Sequence, residues 1–291
     1  MTYVLTLIAD RNATSLTDAQ IAAARDAVDG APAKILSPGE AVDIAFRMPP
    51  NAARIEAAIG TARIDSIVTP ARNRRKAVLI ADMDSTIVTT ETLDEIAGFA
   101  GLKDQIAAIT MQSMRGELDF AEALRRRVGM LAGLSVDALA KTWATTEFMP
   151  GARELVATMR AHNALTALVS GGFTYFTGRV ASALGFDEHR ANSLLEEDGK
   201  LTGEVGEPIL DRDAKLRALR DLVVERDVQM YASLAIGDGA NDLAMIREAG
   251  LGIAYHAKPI VAAEARAQIR FADLRAALFA QGYPASAFRT D

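Results

Sequence analysis

Two apolar segments of this chain end in clusters of carboxylates. Residues 76–81, Lys-Ala-Val-Leu-Ile-Ala, lead into Asp82 and Asp84, while residues 233–236, Ser-Leu-Ala-Ile, lead into Asp238 and a second aspartate four residues later. Short apolar runs of this kind are typical of buried strands in a parallel sheet. The carboxyl ends of such strands meet at one edge, where clustered carboxylates bind metal or carry out acid-base chemistry. The sequence therefore indicates an α/β enzyme.

The composition excludes several other classes of protein. The chain has 291 residues, of which 50% are hydrophobic and 24% charged, enough to form two globular domains. Thirty-two basic and 38 acidic residues give a net charge of −6, which argues against a nucleic-acid partner. Without a run of 18 apolar residues or a basic leader, we expect no membrane partner and a cytoplasmic location. Because the chain has no cysteine, oxygen atoms are the expected ligands of any metal.

The first 70 residues predict a small α+β domain. Strand patterns at 3–8, 34–36, 41–47 and 63–68 alternate with helical patterns at 17–28 and 52–59. The order βαββαβ indicates a ferredoxin-like sandwich. The arginine-rich residues 70–75 are expected to form a solvated connector. Because the strands of the second unit all follow Lys76, we expect residues 1–70 to be dispensable for its folding.

Residues 76–291 predict a Rossmann-like parallel sheet that carries the catalytic site. Strand patterns occupy 76–82, 164–170, 233–236 and 251–254, with helices between them. The interval 91–148 contains only helical patterns, at 93–98, 105–114, 119–131 and 136–145. An all-helical insertion after a catalytic strand is expected to form a cap over the ligand site. Residues 191–209 predict a β-hairpin that turns at 197–200.

The residue types at the strand ends are those that phosphate-ester chemistry requires. Asp82 is the preferred nucleophile, but its negative charge repels a phosphate unless a divalent cation and a fixed positive charge offset it. Asp238 can bind the cation, and Lys215 can supply the fixed charge. Asp84 is spaced to protonate the leaving alkoxide and then to activate water.

A short glycine-rich segment follows the second predicted strand. Ser170, Gly171 and Gly172 offer a hydroxyl and unshielded backbone N–H groups, which suit a phosphate at a helix start. Ser-Gly-Gly after a strand is also a common turn, so its functional interpretation depends on its position beside the carboxylates.

The predicted cap contains an arginine within an apolar helix face. Arg127 shares that face with Phe120, so its guanidinium needs an anion, either a substrate carboxylate or an acidic residue of the cap, unless it reaches solvent at the edge of the face. Glu91 is interpreted either as a charge at a helix N-terminus or as the partner of a substrate ammonium. Met114 and Phe120 are expected to line whatever the cap encloses.

Together these motifs resemble the four motifs of the haloacid dehalogenase superfamily, and the finer pattern resembles its phosphoserine phosphatases. The resemblance covers about residues 76–275 and rests on the segments 82–86, 170–172, Lys215, 237–242, Glu91, 114–120 and 127–128. It implies hydrolysis of O-phospho-L-serine, the last step of serine synthesis, with Mg²⁺ as the cofactor.

The resemblance also implies a role for each matching residue. Asp82 would form the aspartyl-phosphate, and Asp84 would be the acid and base. Magnesium would be bound by Asp82, the backbone carbonyl of Asp84 and Asp238, with Asp242 in support. Substrate would be bound by Glu91 (ammonium), Arg127 (carboxylate) and, at the phosphate, by Ser170, Gly171, Lys215 and Asn241.

Three questions stay open at the level of sequence. The same phospho-aspartate could pass phosphate to another alcohol such as homoserine instead of water. The first 70 residues resemble an ACT-type regulatory extension in layout only, so a serine-sensing regulatory protein is the alternative from another class. A homodimer is compatible with the sequence but not implied by it.

Overall fold

The structure is a computed structural model and describes residues 2–47, 49, 51–114, 117–210 and 213–291. In chain order the strands are β1 (Tyr3–Ala9), β2 (Lys34–Ser37), β3 (Ala41–Phe46), β4 (Ile64–Pro70), β5 (Val78–Ala81), β6 (Leu165–Phe173), β7 (Glu188–Asn192), β8 (Leu194–Glu197), β9 (Lys200–Val205), β10 (Ser233–Gly237), β11 (Leu251–Tyr255) and β12 (Ala267–Ile269). The α-helices are α1 (Asp18–Ala27), α2 (Ala52–Ile59), α3 (Thr92–Phe99), α4 (Lys103–Met114), α5 (Phe120–Gly129), α6 (Asp137–Thr145), α7 (Ala152–Ala161), α8 (Thr174–Leu184), α9 (Ala214–Glu225), α10 (Leu243–Glu248), α11 (Pro259–Ala262) and α12 (Ala276–Ala280).

The N-terminal residues form an antiparallel sheet with two helices. Its strand order is β2-β3-β1-β4, and β1 pairs antiparallel with both β3 and β4. Helix α1 begins at a capping box, in which Thr17 accepts from the backbone N–H of Gln20 and the Gln20 side chain accepts in return. The order βαββαβ agrees with the predicted ferredoxin-like layout.

The larger sheet has six parallel strands in the order β12-β11-β10-β5-β6-β7. Strands β5 and β10 lie side by side at its centre, and every residue in both is buried. This architecture confirms the predicted α/β core. Apolar runs in the sequence do not mark β7, which is polar and lies at the edge, or β12, which has only three residues.

Helices α3 to α6 form the cap, as the helical patterns predicted. The cap joins the sheet through two neighbouring segments: the backbone N–H of Thr89 donates to the carbonyl of Glu147, and that of Met149 donates to the carbonyl of Ile87. The two connections between the cap and the sheet therefore run side by side.

The hairpin β8–β9 is hydrogen-bonded to the cap. Its turn places Asp198 and Gly199 at positive φ, 49° and 73°, in agreement with the predicted turn. The backbone N–H of Gly133 donates to the carbonyl of Leu201, and the N–H of Leu201 donates to that of Leu134. These bonds connect the hairpin to the segment between α5 and α6.

The N-terminal sheet and the parallel sheet share apolar packing. Ile8, Leu36 and Ile67 lie in the same buried cluster as Leu79 and helix α12. Because this cluster spans both sheets, folding of residues 76–291 alone would leave apolar side chains in water. This packing argues against the expectation that residues 76–291 fold without residues 1–70.

Residues 70–75 are mostly exposed, as expected of a solvated connector, and Arg74 is the exception. Arg74 is largely buried and pairs with Asp43, with Nη1 2.6 Å from Oδ2. The same guanidinium donates to the carbonyl of Ala280, and Arg75 stacks over the ring of Tyr283. Arg74 and Arg75 make contacts between distant parts of the chain, because Arg74 finds buried acceptors and Arg75 finds an aromatic ring. Among the described residues no helix is both long and apolar enough to span a bilayer.

Candidate active site

Three buried carboxylates meet at the carboxyl ends of β5 and β10. Asp82 follows β5 directly, Asp238 follows β10, and Asp242 lies four residues further on. One oxygen from each of the three lies within 4.8 Å of the others. The pairing of β5 with β10 brings these residues together although more than 150 positions separate them in sequence.

A buried lysine pairs with two of these carboxylates. Lys215, in the first turn of α9, has its Nζ 2.7 Å from Oδ1 of Asp82 and 2.6 Å from Oδ1 of Asp242. Burial alone would lower the pKa of Lys215, but the charges of Asp242 and Asp82 outweigh it and raise that pKa. Lys215 therefore stays charged and supplies the fixed cation that the sequence analysis required.

One lysine does not neutralise three carboxylates. Burial, followed by the charge of Asp82, raises the pKa of Asp238 to about 6 and that of Asp242 to about 7. Both oxygens of Asp242 are engaged, by Lys215 and by the backbone N–H of Gly239. Oδ2 of Asp82 accepts no hydrogen bond from the described residues, and Oδ2 of Asp238 has only Lys258 near it, at 3.8 Å. Free carboxylate oxygens in a site with excess negative charge fit a hard divalent cation such as Mg²⁺.

Asp84 has a different environment from Asp82. Its Oδ1 accepts from the backbone N–H of Thr92 at 3.2 Å, and its Oδ2 lies 3.4 Å from the hydroxyl of Thr92. Burial, followed by the charges of Glu91 and Asp82, raises the pKa of Asp84 well above its usual value. A raised pKa favours the protonated form of a carboxyl group, which suits a general acid.

The loop between β5 and α3 contains two contacts that the sequence analysis missed. The hydroxyl of Thr86 donates to Oδ1 of Asp238 at 3.2 Å, and that of Ser85 donates to Glu91 at 2.8 Å. Ser85 lies in the left-handed region with φ of 55°, which is unusual for a residue with a side chain. Both residues belong to the segment 82–86, so its hydroxyls were the available signal.

The Ser-Gly-Gly segment lies beside Lys215 and directly before Phe173, the N-cap of α8. Strand β6 continues to Phe173, so these residues form an irregular strand end rather than the first turn of α8. Its members share a small cavity with the predicted phosphate-binding side chains, lined in part by Ser170, Gly171, Lys215, Asn241 and the cap residue Phe120.

At both glycines of the segment a side chain would crowd a neighbouring group. A Cβ at Gly171 would lie 3.2 Å from the ring of Phe120, and one at Gly172 would lie 3.1 Å from Oδ2 of Asp84. Ser170 is buried, and its hydroxyl oxygen accepts from the N–H of Gly172 at 2.9 Å.

Arg127 has no ion pair with a carboxylate in the part of the chain that the structure describes. Its Nε donates to the carbonyl of Ala123 at 3.2 Å, and its Nη1 lies 3.4 Å from the hydroxyl of Thr110. Burial lowers the pKa of Arg127, while the charges of Asp94 and Glu91 partly oppose that shift. Among the described residues, Arg127 therefore forms no structural salt bridge within the cap.

Three more residues bear on the site, two at the cap and one beside the carboxylates. Glu91 is exposed and stands at the N-cap of α3 without capping it, so its side chain is available beyond its bond from Ser85. Met114 ends α4, but its side chain lies outside the described residues. Lys258, which the sequence analysis did not single out, donates its backbone N–H to the carbonyl of Asp238. Its position just after the end of β11 was the only signal for it.

The part of the chain that carries these residues is similar to known proteins. Residues 79–247 match the haloacid dehalogenase-like hydrolase family. The chain belongs to that family. It is also 44% identical over 201 residues to a phosphoserine phosphatase of Haemophilus influenzae, a match that covers 69% of this chain and 64% of that protein. The chain therefore spans less than two thirds of that relative's length.

Two solved structures are similar to this one. A HAD family hydrolase of Salmonella enterica serovar Typhi has a TM-score of 0.86 and 28% identity, covering 96% of this chain and 97% of that one. A phospho-aspartyl intermediate analogue of a phosphoserine phosphatase has a TM-score of 0.66 and 37% identity, covering 70% of this chain and 98% of that one. These findings confirm the family that the motifs indicated.

Proposed function

We propose that this protein hydrolyses O-phospho-L-serine to L-serine and phosphate, with Mg²⁺ and through an aspartyl-phosphate on Asp82. The observation that carries the substrate assignment is Arg127, a half-buried guanidinium with no carboxylate partner among the described residues. Its neighbour Glu91 offers a carboxylate for the substrate ammonium. A phosphoserine phosphatase at 44% identity supports the same substrate.

The first half of the reaction transfers the phosphoryl group to the enzyme. An oxygen of Asp82 attacks phosphorus while the bond from phosphorus to the serine oxygen breaks. Asp84, whose raised pKa favours its protonated form, donates its proton to the departing serine alkoxide. Lys215, together with the N–H of Gly171 and the hydroxyl of Ser170, stabilises the charge on the phosphoryl oxygens.

The second half returns the enzyme to its starting state. Asp84, now a carboxylate, takes a proton from a water molecule whose oxygen attacks phosphorus. The bond from phosphorus to Asp82 breaks, and phosphate leaves. The related aspartyl-phosphate analogue of a phosphoserine phosphatase supports such an intermediate here.

The carboxylate cluster fits the proposed cofactor. A Mg²⁺ ion bound by Asp82, Asp238 and the backbone carbonyl of Asp84, with Asp242 in support, would offset the repulsion between the anionic nucleophile and the phosphate. The chain's own contribution is to hold Asp82 through Lys215 and the N–H of Met83, which lies 2.7 Å from Oδ1.

Release of phosphate from O-phospho-L-serine, measured with Mg²⁺ and with a chelator, tests this proposal. We expect turnover only with the cation, and we expect Asp82→Asn to lose activity by many orders of magnitude, because an amide is a poor nucleophile. Near wild-type phosphate release from Asp82→Asn would refute the assigned nucleophile. Homoserine added to the same assay would yield a phosphorylated alcohol if the protein were a phosphotransferase instead.

A further inference from the structure

Strand β6 carries a bulge near its carboxyl end. In its parallel pairing with β7, Val169 faces Arg190 and Phe173 faces Asn192, so residues 170–172 of β6 lie opposite a single residue of β7. The first two of these three residues line the cavity that the proposed function assigns to phosphate. Bulges are common beside active sites, and they leave backbone groups without a partner in the strand pairing. Such groups need another hydrogen-bond partner when they are buried.

The side chain of Asn192 supplies a partner at this bulge. Asn192 is the last residue of β7 and is only 1% exposed. Its Nδ2 donates to the carbonyl of Gly171 at 2.9 Å, and its Oδ1 accepts from the backbone N–H of Leu210 at 2.8 Å. Both Gly171 and Leu210 line the phosphate cavity. One buried amide therefore joins two walls of that cavity.

The peptide group between Gly171 and Gly172 is held at both ends. Its carbonyl accepts from Asn192, and its N–H donates to the hydroxyl oxygen of Ser170 at 2.9 Å. A Cβ at either glycine would crowd a neighbouring side chain, but glycine also leaves the backbone free to turn. The bond from Asn192 restricts that freedom next to the N–H of Gly171, which the proposed mechanism directs at the phosphoryl oxygens.

The other end of the amide contacts the segment that leads to Lys215. Leu210 lies shortly before α9, and Lys215 is in the first turn of that helix. The bond from Leu210 to Asn192 crosses the foot of the hairpin β8–β9, next to the bond that the N–H of Gly206 donates to the carbonyl of Ser193 at 2.8 Å. Asn192 therefore ties the approach to the lysine to the end of β7.

A second polar contact joins β6 to the segment before β7, at the opposite end of the strand. The buried hydroxyl of Thr166 donates to Oδ2 of Asp187 at 2.9 Å and accepts from the N–H of Asp187 at 3.2 Å. Neither of these two described residues lines the phosphate cavity. Thr166 thus shares the strand and the burial of its bond with the Asn192 contact, but not the cavity.

We propose that Asn192 is a positioning residue for the phosphate site. It holds the backbone of residues 170–172 and the segment before Lys215 at the spacing that a phosphoryl group requires, without touching the substrate itself. This inference rests on the proposed function only in taking the cavity as the phosphate site, and it requires no particular alcohol in the ester. Loss of Asn192 should therefore affect every phosphate monoester alike, unlike loss of Arg127.

Isothermal titration of the full-length protein with inorganic phosphate, in the presence of Mg²⁺, tests the proposal. Asn192→Ala removes both hydrogen bonds and should weaken phosphate binding by about 10- to 150-fold, the range for loss of one hydrogen bond to a charged group. Asn192→Asp, which is nearly the same size, keeps the acceptor for Leu210 but lacks the donor for Gly171, and it should weaken phosphate binding as well. Wild-type affinity for phosphate in either folded variant would overturn the proposal.

Thr166→Val is the matched control for a general weakening of the pairing between β6 and β7. We expect it to lower Tm in a thermal unfolding assay and to leave the affinity for phosphate unchanged. An equal loss of phosphate affinity in Thr166→Val and Asn192→Ala would mean that any damage to this strand pairing has the same effect, and the positioning role would be refuted.

Steady-state assays separate this role from the choice of substrate. Asn192→Ala should raise KM by the same factor for O-phospho-L-serine and for p-nitrophenyl phosphate, whereas a loss confined to one ester would contradict a role at the phosphate. Phosphate binding that depends on Asn192, in a protein that does not hydrolyse phosphoserine, would support the positioning role and refute the proposed function. The two failures are therefore distinguishable.

Discussion

Replacement of Arg127 by alanine separates a phosphoserine enzyme from a general phosphatase on the same core. In the structure two nitrogens of the guanidinium are held by Ala123 and Thr110, and Nη2 forms no hydrogen bond with the described residues. This arrangement orients the planar group before substrate arrives. We therefore expect Arg127→Ala to impair turnover of phosphoserine strongly and to leave hydrolysis of p-nitrophenyl phosphate, which has no carboxylate, nearly unchanged.

The magnitude follows from the kind of contact that is lost. A hydrogen bond between charged groups contributes about 1.5 to 3 kcal/mol, which corresponds to about 10- to 150-fold in kcat/KM for phosphoserine. The loss grows if cap closure depends on the contact. Arg127→Lys should recover little, because a point charge does not reproduce the two-pronged geometry of a guanidinium.

The assay is steady-state phosphate release from both substrates by purified variants. Arg126→Ala is the matched control, since Arg126 is exposed on the same helix and pairs with Glu122. We expect this control to behave like the wild type with both substrates. An equal loss on the two substrates in Arg127→Ala would show that Arg127 holds the cap together, and the reasoning about the substrate carboxylate would be refuted.

Three further predictions concern stability. Mg²⁺ should raise Tm in a thermal unfolding assay because it offsets the buried carboxylates, and Asp238→Asn, which lacks one ligand, should show a smaller rise; equal rises would contradict the assigned metal site. Asp43→Ala should lower the free energy of unfolding by about 3 to 5 kcal/mol in urea, because it leaves Arg74 buried without its partner, and a loss below about 1 kcal/mol would mean that the pair is not structurally important. Deletion of residues 1–70 should give an insoluble or unfolded product by circular dichroism, since it exposes the shared apolar cluster; a soluble, fully active fragment would show that the parallel sheet folds alone.

Much of the fold was predictable because its signals are local. Apolar runs marked the central strands β5 and β10, and the 3.6-residue period marked all four cap helices within a few residues. The polar strand β7 gave no such signal, because an edge strand is only partly buried. The prediction that residues 70–75 form a solvated connector agrees with the exposed residues but not with Arg74, since nothing in the local pattern reveals that Asp43 lies opposite it.

For the site too, the sequence indicated the residue types, and the tertiary structure gave their environments. The residue types and spacing of 82–86 and 237–242 were sufficient to indicate carboxylate chemistry at two strand ends, because a parallel sheet brings those ends to one edge. The environments that assign roles came only from the tertiary structure: burial and the charges of Glu91 and Asp82 raise the pKa of Asp84, whereas Asp82 forms an ion pair with Lys215.

The sequence by itself determined which groups this protein has for catalysis, since motif residues are fixed by covalent order. It also determined the class of fold, because hydrophobic periodicity is a property of short segments. Only the tertiary structure decided how the two sheets pack on each other, and that Arg127 lacks a carboxylate partner among the described residues. These features depend on burial and on distances between residues far apart in sequence, and burial sets the energy of a charge or a polar group.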